Sequence, residues 1–200
     1  YLSNPITLLS TITLIATLVG SACTVYMMIC KPINGLLGLI SAIGFIYINW
    51  SAGHYASVLD QLVFILLIDL PLILTWRNWG DRVKNGVKFL TNRGWFATFA
   101  TMAILWAPMA WVYTQLNDTN PIWDAIVLII GATASLLVFK GYGDSYSLWL
   151  MSDAVTIILW FTAFMDGYSA SALPMLLTML FYLMTALYGR FFAVWSKRKI

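Results

Sequence analysis

Apolar stretches of membrane-spanning length follow one another along the chain, at residues 7–28, 34–50, 57–76, 95–115, 122–140, 145–164 and 169–195. A helix needs about 20 mostly apolar residues to cross roughly 30 Å of hydrocarbon. Short polar connections separate the stretches, and only residues 77–93 form a long one. The pattern predicts an all-α membrane protein with seven transmembrane helices, folded as one domain over residues 1–200. The first 30 residues lack a basic leader region, and their apolar stretch is long enough to span. A first transmembrane helix is therefore expected there, not a cleaved signal.

The charges orient this array. Lys31 lies in the first connection, Arg77, Arg82, Lys84, Lys88 and Arg93 in the third, Lys140 in the fifth, and Arg190, Lys197, Arg198 and Lys199 at the C-terminal end. The second, fourth and sixth connections hold no Lys or Arg, but His54, Asp118 and Asp166. Cytoplasmic loops collect Lys and Arg, so the N-terminus is expected outside and the C-terminus in the cytoplasm. Composition agrees: 61% of residues are apolar and 10% charged, with a mean hydropathy of +0.83. The net charge of +3 sits in loops beside the bilayer and reads as headgroup anchoring, not as a nucleic-acid surface. Trp76, Trp79, Trp95, Trp123 and Trp195 stand at span ends and read as interfacial anchors. Cys23 and Cys30 have no metal or redox spacing and read as packing residues.

A shift of 114 residues lays Gly53-His-Tyr-Ala-Ser-Val-Leu59 over Gly167-Tyr-Ser-Ala-Ser-Ala-Leu173. With an odd connector helix at 95–115, residues 7–76 and 122–195 become two parallel triplets, a plan used by small transporters. The substrate site is then expected between the triplets near the midplane.

All eight acidic residues are Asp. Asp81 and Asp144 fall in cytoplasmic loops, Asp144 as an N-cap or first-turn acid. Asp118, Asp124 and Asp166 fall at the outer ends. Asp60, Asp69 and Asp153 lie within spans. A carboxylate there costs about 2.5–3.5 kcal/mol on insertion scales, and no Lys or Arg shares the hydrocarbon layer with it. It must face the bundle interior and be protonated, hydrogen-bonded, or met by a cationic substrate. In the sixth span Tyr146, Trp149 and Asp153 share one stripe at i, i+3, i+7 spacing. Aromatic faces plus an acid suit a flat cationic ring. The third span offers Ser57 and Gln61 one turn apart, with Tyr55 just before; Gln61 can donate and accept at a heterocycle edge.

The segments Asn34-Gly-Leu-Leu-Gly-Leu-Ile40, Tyr55-Ala-Ser-Val-Leu-Asp-Gln61, Ile122-Trp-Asp124 and Tyr146-Ser-Leu-Trp-Leu-Met-Ser-Asp153 together resemble the Pnu family of bacterial vitamin transporters. The resemblance implies a three-plus-one-plus-three fold in the inner membrane and a homotrimer. It also implies facilitated diffusion, with a cytoplasmic kinase trapping the product, and no cofactor. The nicotinamide riboside branch carries a Trp-x-x-Trp pair followed four residues later by Asn; here Tyr146, Trp149 and Asp153 take those places, while Gln61 is kept. Both branch substrates are cationic aromatics. The extra acids favour the thiamine-type (PnuT) branch, with nicotinamide riboside the alternative. Proton coupling through Asp69 or Asp153 is a further alternative mechanism. With one His and no catalytic or metal-binding spacing, an enzyme is not expected.

Overall fold

The computed structural model describes residues 7–165 and 172–197, all of whose regular elements are helical. Asp166, Arg198, Lys199 and the second copy of the repeated segment, at 167–171, lie outside the described residues. The helices are α1 (Leu8–Met28), α2 (Ile33–Ala52), α3 (Tyr55–Leu74), the short α4 (Trp79–Asn85), α5 (Asn92–Gln115), α6 (Pro121–Lys140), α7 (Ser145–Met165) and α8 (Ala172–Phe191). Five of them (α1, α2, α3, α5 and α6) are long and apolar enough to cross a membrane, and Leu176–Phe191 of α8 is a shorter apolar stretch.

Local chemistry sets the ends. Thr7 opens α1 with a capping box: its hydroxyl accepts from the Ser10 amide at 3.1 Å, and its own amide donates to Ser10 Oγ at 2.9 Å. This satisfies two N–H groups that a helix start leaves orphaned. Gly141 ends α6 at φ 82°, a left-handed conformation that needs no Cβ accommodation in glycine. Within α3, residues Ile65–Asp69 widen into a π-helical turn. Pro71 follows it and has no N–H to give the Leu67 carbonyl, so the hydrogen-bond ladder must change register here.

Six helices close a ring. α1 packs on α2, α2 on α3, α3 on α6, α6 on α7, α7 on α8, and α8 returns to α1. The long helix α5 packs on α6 from outside this ring. Its apolar surface, Phe96, Ile104 and Trp111 included, faces outward.

The densest core closes the basic end of the ring. It joins Cys30, Ile68, Leu72, Trp79, Val83, Val138, Tyr146, Ala186, Ala193 and Trp195. Three expectations are corrected here. Trp79 and Trp195 do not float at a lipid interface; both are 0% exposed. Trp195 Nε1 donates to the Met27 and Met28 carbonyls at 3.2 and 3.1 Å, and Trp79 Nε1 donates to the Phe139 carbonyl at 3.1 Å. Those carbonyls belong to the ends of α1 and α6; Met27 also accepts from the Cys30 amide at 3.0 Å, and the indoles bring donors to Met28 and Phe139 while filling the space beneath. The last helix also stops sooner than 169–195: it ends at Phe191, and Val194–Ser196 form a 3-10 turn that delivers Trp195. The long connection holds α4 in place of an open linker, because Trp79 and Val83, one turn apart, are both buried. Asp144 stands directly before α7, where its backbone carbonyl accepts from the Ser147 amide at 3.0 Å, and its carboxylate accepts from the Leu90 amide at 2.5 Å. Trp76 and Trp123 remain exposed, as an interfacial position requires, and Trp95 stacks on Phe99 at 5.4 Å.

Trp195→Ala removes a fully buried ring and the indole donor to the Met28 carbonyl. It is expected to cost about 3–5 kcal/mol of stability, whereas Trp123→Ala should change stability by less than about 0.5 kcal/mol. Thermal and denaturant unfolding in detergent micelles compares the two. Burial pushes the Cys30 thiol up to about 12, against a smaller opposing effect of Lys84. In a Cys23→Ser background, alkylation of Cys30 should therefore be far slower than that of a free thiol at pH 7, and should still be rising about tenfold per pH unit at pH 9, where a free thiol of pKa near 8.5 levels off.

Candidate functional site

The residues singled out in the sequence divide among three places. The first is the interior face shared by α3, α6 and α7. Trp149 projects from α7 toward Phe64 of α3, with ring centroids 6.2 Å apart and planes tilted by 35°. Gly131 of α6 lies against both rings. Trp149 Nε1 is buried and has no hydrogen-bond partner among the described residues. Gln61 precedes Phe64 by one helical turn and is half-buried on the same side of α3.

The second place is a polar layer running across α1, α2, α3, α7 and α8. Asp153, one turn beyond Trp149 on α7, is 7% exposed, and Asp69 at the end of the π-turn is 5% exposed. Asp69 seats its carboxylate directly on Gly38 of α2, where any Cβ would collide with it. Tyr182 of α8 lies within electrostatic reach of both Asp153 and Cys23, and its hydroxyl is hydrogen-bonded to Ser21 of α1. Cys23 donates to the Asn34 carbonyl at 3.2 Å and faces the Asp69 carboxylate. Helix rise places Cys23, Ser21 and Tyr182 at comparable depths from their basic-side helix ends. Both acids therefore look inward, as their desolvation cost demands, and no Lys or Arg stands in α1, α2, α3 or α7 to pair with them.

The third place is the outer end, away from the ring interior. Asp60 accepts a hydrogen bond from Tyr113 of α5. Asp118 and Asp124 lie beside this pair and are hydrogen-bonded to each other through their side chains. Tyr55 is exposed and sets its ring edge against Trp50 at 5.4 Å and 79°. Ser57 is half-buried, one turn from the Asp60 level. The structure thus does not bring Tyr55, Ser57 and Asp60 to the Trp149 face.

Tyr146 is separated as well. It lies in the basic-end core, 4% exposed, with its ring 5.4 Å from Trp195. It presses so closely on Gly189 of α8 that a Cβ there would overlap the ring. The i, i+3, i+7 stripe is real as helix geometry, yet its first member packs while Trp149 and Asp153 look into the ring. Tyr146 Oη is also buried without a partner among the described residues. Sequence reasoning missed Phe64, Tyr113 and Tyr182. Tyr182 had a usable signal, a hydroxyl in mid-helix; Phe64 and Tyr113 had none, since both fit ordinary apolar spans. A cavity of about 230 Å³ between α5 and α6 is lined by Phe99, Met102, Trp106 and isoleucines. It presents almost no polar surface, which excludes it as a site for a charged solute.

A polar interior inside a ring of apolar helices is the build of a solute carrier. Residues 10–197 match the family model described as nicotinamide mononucleotide transporter. The chain belongs to this transporter family. Among its curated relatives is the nicotinamide riboside transporter PnuC of Neisseria mucosa (strain ATCC 25996 / DSM 4631 / NCTC 10774 / M26), 25% identical over 190 residues that cover 92% of this chain and 71% of that protein. The protein of the same name from Haemophilus influenzae (strain ATCC 51907 / DSM 11121 / KW20 / Rd) is 22% identical over 196 residues, covering 94% and 80%. The crystal structure of the vitamin B3 transporter PnuC superposes with a TM-score of 0.74 at 23% identity, over 94% of this chain and 81% of that one. This nicotinamide mononucleotide transporter family member is accordingly a multi-pass membrane protein with a PnuC-like fold and not an enzyme.

Asp60 is assigned to holding α5 against the ring. Tyr113→Phe should lower stability by about 1–3 kcal/mol by stranding a half-buried carboxylate, with ligand affinity in calorimetry unchanged. A loss of affinity at unchanged stability would move Asp60 into the binding site.

Proposed function

We propose that this chain takes up a cationic aromatic vitamin, nicotinamide riboside first among them, by facilitated diffusion across the inner membrane. The observation that carries the reading is the pairing on α7 of Trp149, whose buried Nε1 lacks a partner among the described residues, with Asp153, a buried carboxylate that meets no cation among them. The pyridinium ring would lie on Trp149, its charge toward Asp153 and its amide edge toward Gln61. The substrate names of the curated relatives support nicotinamide riboside over thiamine, reversing the order suggested by the acids alone. Thiamine is kept as the second reading because Asp153 stands inside the ring, where a carboxylate suits a thiazolium or an aminopyrimidine. Alternating access would come from rocking α1–α3 against α6–α8. Support for the two-triplet plan, with seven spans and the N-terminus outside, is the ring closure through α3 on α6 and α8 on α1, with α5 outside it. Asp69 and Tyr182, packed on α1 and α2, would form the inner wall. A homotrimer and trapping by a cytoplasmic kinase complete the proposal.

Calorimetric titration of the purified protein with nicotinamide riboside and, separately, thiamine decides the substrate. Binding of nicotinamide riboside alone supports the first reading, binding of thiamine alone the second, and silence with both removes the two together. Asp153→Asn is expected to weaken the bound cation by about 1.5–3 kcal/mol, and Trp149→Ala to weaken it as well without loss of the folded protein. Uptake into vesicles should be indifferent to collapse of the proton gradient; a gradient-dependent rate would instead make Asp69 or Asp153 a proton carrier.

A further inference from the structure

The long basic connection builds a second pocket, at the end of α6. Lys88 runs beside Tyr142 as a parallel bridge: its amide donates to the Gly141 carbonyl at 2.9 Å, and the Gly143 amide donates to the Lys88 carbonyl at 2.9 Å. With α4 alongside, this bridge frames a cavity of about 210 Å³ lined by Arg82, Lys88, Phe139, Lys140 and Tyr142. Each water occupies about 30 Å³, so several waters, or one tetrahedral oxyanion with part of its substituents, fit inside. The lining contains three cations and no acid. Two of the cations are steadied by rings: the Arg82 guanidinium lies 5.5 Å from the Phe139 centroid and Lys88 Nζ 5.8 Å from that of Tyr142. Such contacts reduce the ordering entropy that long cationic side chains lose on binding.

The C-terminal end of a helix ordinarily repels an anion. Here three of the last four carbonyls of α6 are already taken. Leu137 accepts from the Tyr142 amide at 2.8 Å and Val138 from the Gly141 amide at 3.0 Å. Phe139 accepts from Trp79 Nε1 at 3.1 Å and from Arg82 Nη2 at 3.0 Å. Arg82 commits one N–H to that carbonyl, and the rest of its planar fork remains for a tetrahedral oxyanion, which a guanidinium grips through two parallel hydrogen bonds. The acids nearest in sequence stay out of the lining: Asp81, which precedes Arg82 on α4, is not among its walls, and Asp144 is turned onto the Leu90 amide.

We propose that Arg82, Lys88 and Lys140 form a binding site for a phosphate group, in the first place the phosphodiester of an acidic phospholipid. Lys140 is the last residue of a membrane-spanning helix, and the pocket lies on the side where the chain concentrates its Lys and Arg, which is where acidic headgroups meet a protein. A bound headgroup would tie α4, which joins the two halves of the ring through α5, to the end of α6.

The test uses the full chain, purified in a neutral detergent and titrated with phosphatidylglycerol, with phosphatidylcholine, and with inorganic phosphate. Thermal unfolding and native mass spectrometry are the readouts. Phosphatidylglycerol should raise the melting temperature and remain bound on the mass scale, and phosphatidylcholine should do neither. Arg82→Gln, Lys88→Gln and Lys140→Gln should each weaken phosphatidylglycerol by about fivefold, and the triple variant should lose the response. Lys140→Gln serves alone if the triple variant does not fold. An equal response to both lipids, or an undiminished response in Lys140→Gln and Arg82→Gln, overturns the site. A full response to inorganic phosphate with none to phosphatidylglycerol keeps the phosphate chemistry and overturns the lipid as its source.

Discussion

The arrangement depends on keeping unpaired carboxylates out of lipid. Asp69 and Asp153 sit in helices that carry no Lys or Arg, and each would cost a few kcal/mol if turned outward. That cost fixes the rotation of α3 and α7 about their axes. It also forces neighbouring helices to offer room: Gly38 of α2 gives Asp69 a seat that no larger residue could. Once α3 and α7 are turned inward, α1, α2, α6 and α8 complete a ring around them, and the polar layer through Cys23, Ser21 and Tyr182 follows.

The two ends of the ring are closed by different chemistry. At the basic end, the indole N–H groups of Trp79 and Trp195 donate to carbonyls at the ends of α6 and α1. The same covering of carbonyls turns the end of α6 from a negative surface into a positive one, where Arg82, Lys88 and Lys140 gather. At the outer end, Tyr113 on Asp60 ties the connector helix α5 to the ring. Polar pairs thus serve structure at both ends, and the buried acids Asp69 and Asp153 lie between them.

This division separates residues that look alike in the sequence. Tyr146 and Trp149 share a helical stripe, but Tyr146 is held between Trp195 and Gly189, while Trp149 meets Phe64 on the interior face. Of the three in-span acids, Asp60 is engaged by a hydroxyl, and Asp69 and Asp153 have no cation partner among the described residues. The proposed function rests on Trp149 and Asp153 because a cationic ring suits an aromatic face beside an acid.

The sequence by itself determined the class of the protein, the helix positions to within a few residues, and the inward facing of Asp69 and Asp153. These follow from transfer free energies and helix periodicity, which are properties of the residue and its near neighbours in the chain. The quoted segments also carried the family. Only the tertiary structure decided that Trp79 and Trp195 are core and Trp123 surface, that Asp60 belongs to Tyr113, and that Tyr146 leaves the stripe it shares with Trp149. Those outcomes depend on partners between 43 and 168 residues away, Gly189 for Tyr146 and Met27 for Trp195. Hydropathy measures what a side chain loses on leaving water, and it contains nothing about which distant carbonyl, hydroxyl or glycine will receive that side chain.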